Sequence, residues 1–125
     1  MFSAISIIIF INGQKLFIYL STGGGDIYES VLIKNVWGAP VSLGDKINTR
    51  HWEGSASYSS VGRLLYFSSD RPGGFGKKDI YVSAKNENGT WSEPENLGDN
   101  INTRFDDDAP FIHATGNLLF FSSVG

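Results

Sequence analysis

Hydrophobic and polar residues alternate in short runs along this chain, and no window shows the 3.6-residue spacing of an amphipathic helix. In the middle of the chain, SASYSS (55–60) leads into a tight Val61-Gly62 turn and then LLYFSS (64–69), a run of strand formers. A long Gly/Pro loop, DRPGGFGKK (70–78), separates it from the alternating segment DIYVSA (79–84). NENG (86–89) is a hairpin signal, and TWSEP (90–94) reads as a short outer strand. The pattern predicts four strands in an antiparallel up-and-down meander. The apolar run from Ala4 to Ile11 is predicted as a buried strand. It has no preceding Lys or Arg and no small-residue cleavage site after it, as a targeting segment would, and it is too short to span a bilayer.

The meander recurs. LGDKINTR (43–50) returns as LGDNINTR (97–104), and 13 of 27 positions are identical between 43–69 and 97–123 at a constant offset of 54. GGDIYES (24–30) answers KKDIYVS (77–83), and Trp37, Pro40 and Leu43 answer Trp91, Pro94 and Leu97. GQKLFIY (13–19) answers GRLLYF (62–67) with one inserted residue. Fixed-period self-similarity marks a repeat architecture. The units fall at about 1–43, 44–97 and 98–125 within a single region spanning 1–125, and the third breaks off after its second strand.

Radially repeated four-stranded meanders are the blades of a β-propeller, which needs about four to eight of them to close. The expected fold is therefore all-β, with about two and a third blades of an incomplete propeller, as in a piece of a larger protein. Such a piece exposes Phe, Ile and Leu on its uncovered faces. FSSDRPGGFGKKDIYVS followed by NGTWSEPENLGDNIN resembles the WD40-like repeats called PD40 of TolB-type propellers. The likeness extends over nearly all of 13–123 and is most marked to bacterial outer-membrane proteins that join such a propeller to an OmpA-like peptidoglycan-binding domain. The resemblance implies a periplasmic or outer-membrane-associated location. It also implies protein partners in the cell envelope or peptidoglycan-linked assemblies.

Composition narrows the chemistry. Aromatic residues make up 14% of the chain, enough with its aliphatics for a packed core, and the absence of cysteine excludes disulfides and thiolate chemistry. A net charge of −3 without a basic cluster argues against a nucleic-acid binder. His51 and His113 have no zinc-ligand companions at useful spacing, and the serines lie outside a G-x-S-x-G elbow. We expect no enzymatic activity, no cofactor and no resident metal. NENGTW lacks the order of a sialidase Asp-box and reads as a hairpin turn.

In an up-and-down meander the first and third connections lie at one end, while the second connections and the links between units lie at the other. Every long irregular segment falls at that second end, where function is expected to concentrate. The candidate binding residues there are Arg50, His51, Trp52 and Glu53 in one link, and Arg104, Phe105, Asp106, Asp107 and Asp108 in the other. Arg71, Phe75, Lys77 and Lys78 join them from the 70–78 loop. Asn48, Thr49, Asn102 and Thr103 are expected to cap turns, Ile47 and Ile101 to pin the links, and Arg50 and Arg104 to pair with carboxylates. Asp26 and Asp79 read as structural acceptors, and His113 as a strand residue facing core or channel. The Asp106–Asp108 run could offer oxygens to Ca²⁺, but alternation along a strand disperses them.

The leading functional expectation is a non-enzymatic protein-interaction scaffold in the cell envelope. The alternative is a substrate-binding or gating propeller of a peptidase or a polysaccharide-active enzyme. Carbohydrate binding through Trp52, Phe75 and Phe105 is a third.

Overall fold

The computed structural model describes residues 7–12, 14–20 and 25–124. Every regular element among them is a strand, and all the pairings are antiparallel. The first sheet orders β1 (Ile7–Asn12), β2 (Lys15–Leu20) and β3 (Ile27–Ile33), with β4 (Val36–Trp37) and β5 (Val41–Ser42) both on the far edge of β3. The second orders β6 (Glu53–Ser59), β7 (Leu64–Ser69), β8 (Asp79–Ala84) and β9 (Glu95–Asn96). The third is a hairpin of β10 (Asp107–Ile112) and β11 (Leu119–Ser123). Among the described residues no sheet closes on itself. The predicted N-terminal strand is present from Ile7 onward; Ala4 to Ser6 lie outside the described residues.

The two larger sheets share their irregularities. The outer strand is broken in both, because Pro40 and Pro94 have no N–H to give the ladder. In each sheet a serine of the third strand spans the break: the Ser30 hydroxyl donates to Gly38 O at 2.6 Å, and that of Ser83 to Ser92 O at 2.6 Å. This corrects the expected outer strand over 90–94. Only a bridge between Lys85 and Trp91 forms there, and the strand itself is displaced to Glu95–Asn96. The inner strands also match. β6 and β10 each carry a bulge next to a residue in left-handed conformation, Ser55 (φ 54°) and Ala109 (φ 54°).

The core lies between the first two sheets, where Phe17 and Tyr19 of β2 and Ile27 of β3 meet Ala56 and Tyr58 of β6 and Leu65 and Phe67 of β7. The Phe17 and Tyr58 rings sit 5.5 Å apart, and Tyr58 meets Trp91 edge-on at 6.1 Å. β10 packs in turn against the second sheet, with the Ile112 N–H donating to the Ser57 hydroxyl at 3.0 Å. The outward side of the hairpin is uncovered, with Phe111, Leu118 and Phe120 exposed; Phe121, on the opposite side, is exposed as well, whereas its counterpart Phe67 is fully buried. This is the apolar face the repeat led us to expect.

Connections segregate by end as the meander requires. At one end the 60–63 turn touches the 86–89 turn through Arg63, which donates to Asn86 O at 3.1 Å. At the other, Arg71 of the long loop donates to Ile47 O in the first link at 2.6 Å. Gly76 lies so close to the backbone of Thr103 to Phe105 that a side chain there would collide with it. His113 is exposed, just beyond β10 in the turn, with Nδ1 2.9 Å from the Thr115 hydroxyl, so it faces neither core nor channel.

Candidate functional site

Both links share one set of Gly, Asn and Thr bonds. Gly44 (φ 91°) and Gly98 (φ 84°) start a turn closed by the N–H groups of Asn48 and Asn102 on their carbonyls at 2.9 and 2.8 Å. The asparagine amides then reach back to the preceding sheet. Asn48 accepts from Ile27 N–H at 2.7 Å and donates to Ile27 O at 2.9 Å; Asn102 does the same to Ile80 at 2.8 and 3.0 Å. These are not the local turn caps expected of them. Each amide stands in for a neighbouring strand's peptide group at the edge of the sheet before it.

The threonines bind forward. Thr49 donates its N–H and hydroxyl to the two carboxylate oxygens of Glu53 at 2.8 and 2.7 Å, and Thr103 donates both to Asp107 Oδ2 at 2.6 and 3.2 Å. The backbone N–H of each acid returns to the earlier sheet, Glu53 to Gly25 O at 2.9 Å and Asp107 to Lys78 O at 2.8 Å. HWEG and FDDD look unrelated as text, yet their third position is a carboxylate with one task in both. Glu53 and Asp107 are fully buried and fasten the links. Arg71 reinforces the first joint, 3.6 Å from Glu53, with its guanidinium over Phe67 and Tyr81. Ile47 is buried beneath its link, while Ile101 is only half-buried.

The remaining candidates divide by exposure. Arg50, Phe75, Lys77, Arg104 and Phe105 are open to solvent at the loop-bearing end. His51, Lys78, Asp106 and Asp108 are half-buried, and Trp52 is buried. The expected carboxylate partners of Arg50 and Arg104 are not found among the described residues. The nearest acid in each link is turned inward, and Arg104 lies over its neighbour Phe105 instead at 4.9 Å. Asp107 turns to Thr103 while Asp108 turns to Lys78 at 3.6 Å, so the three carboxylates diverge. Among the described residues no three His, Asp or Glu side chains come together as a metal site would require. Asp79 accepts from Phe75 N–H at 2.5 Å and from Asn96 Nδ2 at 3.1 Å, as a structural acceptor should. The corresponding donor for Asp26 would fall among residues 21–24, outside the described residues.

At this end the three sheets converge electrostatically. Lys78 lies 4.1 Å over the Trp52 ring and bridges to Asp108. Burial pushes the Asp108 carboxyl up, but the facing hydroxyls of Ser68 and Ser55, the Ala109 N–H and the Lys78 ammonium outweigh it and hold the group below its usual value. Tyr19 of the first sheet is pushed up to about 12, first by burial and then by the Asp108 charge.

A second feature has no trace in the motifs. A cleft of about 640 Å³ opens between β3 and β5 of the first sheet and the 85–91 turn of the second. At its floor the Glu29 carboxylate faces Lys15 at 3.7 Å and Lys85 at 3.5 Å. The only sequence signal is departure from the repeat: Glu29 stands where the second copy has Val82, and Lys85 where the first has Leu32.

No helix among the described residues is long and apolar enough to cross a membrane. No family model matches the chain, and no curated protein or solved structure is significantly similar to it.

Proposed function

We propose that the sheets are successive blades of a β-propeller of the WD40-like PD40 type. On this reading the chain serves as a non-enzymatic interaction scaffold in a bacterial cell envelope, in the periplasm or at the outer membrane. One observation carries the reading: the Asn and Thr bonds that join the first and second sheets recur between the second and third. Equal joints impose equal rotations, and equal rotations of packed meanders lead to radial symmetry. A rigid joint then presents the exposed Arg50, Phe75, Lys77, Arg104 and Phe105 together at one end, a mixed cationic and aromatic surface suited to a protein partner.

Site-specific photo-crosslinking in envelope fractions tests the reading. A crosslinker placed at Phe75 or Phe105 should give a discrete protein adduct, and one placed at Asn88 or Asn117, at the opposite end, should not. Equal labelling from both ends, or none from the loop-bearing end, would remove the proposal.

A further inference from the structure

The cleft beside β3 is assembled from residues that break the repeat, so the architecture does not account for them. Two ammonium groups share one carboxylate there, which leaves a surplus positive charge in a half-buried place. The Glu29 Oε1 between them is buried and makes no hydrogen bond. Each cation also lies over an aromatic face, Lys15 over Tyr58 at 4.9 Å and Lys85 over Trp91 at 5.5 Å, which holds both beside Glu29, with Lys85 at the floor and Lys15 behind it. Burial foremost, and then the adjacent Lys15, weaken the hold of Lys85 on its proton, and Glu29 only partly offsets them. Above this floor the walls are mainly apolar, with Asp45 and Lys46 as an oppositely charged pair of residues along the lining. Val31, Ile33 and Val41 stand 40%, 64% and 66% exposed along one side. The volume lies within the roughly 300–1,000 Å³ of small-ligand sites, and apolar walls with a few convergent polar groups are their usual make-up.

We propose that this cleft binds a carboxylate carried on an apolar body, with its head on the Lys85 ammonium, leaving Glu29 to Lys15, and its body along Val31, Ile33 and Val41. A second carboxylate would bring the charge of the cluster to zero. It would also give each ammonium a charge-assisted partner, since Glu29 alone has to serve both. The apolar body would cover wall residues that now face water. A fatty-acid-like small molecule and a peptide C-terminus ending in apolar residues offer the same chemistry. The inference does not depend on ring closure or on the loop-bearing end, so it can fail or stand independently of the scaffold reading.

Titration calorimetry on the full chain decides it, with octanoate against octanol and acetyl-Ala-Val-Leu as the free acid against its amide. Saturable binding of a free carboxylate, about tenfold or more tighter than its neutral analogue, supports the proposal. Octanoate alone would assign a free small acid, the tripeptide alone a chain terminus, and both the shared chemistry. Lys85→Met should weaken binding about tenfold. Glu29→Gln, which removes the competing carboxylate, should tighten it severalfold, and this gain decides the matter even if Lys85→Met does not fold. Octanol binding as well as octanoate, an unchanged or weaker Glu29→Gln, or no saturation with either acid by about 10 mM would each overturn the proposal.

Discussion

Asn102 shows how much one side chain carries here. Its amide satisfies the N–H and the C=O of Ile80 together, deep in the joint between two sheets. No residue but Asn, or a differently placed Gln, offers one donor and one acceptor in that geometry. Asn102→Ala should lower stability by about 1–3 kcal/mol in urea unfolding, because it leaves the buried Ile80 N–H unpaired while Ile80 O keeps the Leu97 N–H at 3.1 Å. Asn48→Ala should cost less, since its pairing with Ile27 is only part-buried. Asn102→Asp should resemble the alanine variant, because a carboxylate would face the Ile80 carbonyl without a proton to donate. A loss below about 0.5 kcal/mol for Asn102→Ala would show that solvent takes over the pairing.

The links show which elements could be read from the chain and which could not. β7 and β8 coincide with the segments LLYFSS and DIYVSA, because their strand-forming residues are bounded by turns whose chemistry is unambiguous. The outer strand moved because proline and a serine hydroxyl rewrote its ladder, which alternation of apolar residues does not report. The equivalence of Glu53 and Asp107 was hidden because letter identity does not register two acids of different length doing one job. The bracing role of Arg71, named beforehand only as a binding candidate, and the Lys15–Glu29–Lys85 cluster were hidden because their partners meet only through tertiary packing. One coupling, however, can be followed from structure back to text. Trp52 folds over Gly54, where a β-carbon would lie 2.6 Å from the ring, and the third unit replaces the pair with Asp106 and Asp108. Gly54→Ala should therefore cost about 1–3 kcal/mol in the native chain and close to nothing in a Trp52→Ala background. Additive losses in that double-mutant cycle would show that the ring is not what excludes the side chain.

Across the whole molecule, Tyr19 in the first sheet and Asp108 in the third feel one another through the second. The Tyr19 phenol ordinarily ionises near 10.0, and the fold raises it to about 12. A raised value favours the protonated form in the folded state, so its contribution is complete below pH 10 and is lost as the pH climbs to 12. Stability should fall by about 2–3 kcal/mol over that window, at about 1.4 kcal/mol per unit, and Tyr19→Phe should flatten the decline. In an ultraviolet titration Tyr19→Phe should remove a component that ionises near 12, and a profile unchanged at that end would contradict the convergence of the sheets. The joint itself has a consequence for descent. Apart from the Arg71 brace on the first, each link draws on its own eight residues, the backbone of the sheet before it and the first acid of the sheet after it. A tandem duplication of the 54-residue unit would therefore carry its own fastening to either neighbour. Lineages could lengthen or shorten the array without inventing an interface, and selection would be left free to individualise the clefts and loop ends between the copies.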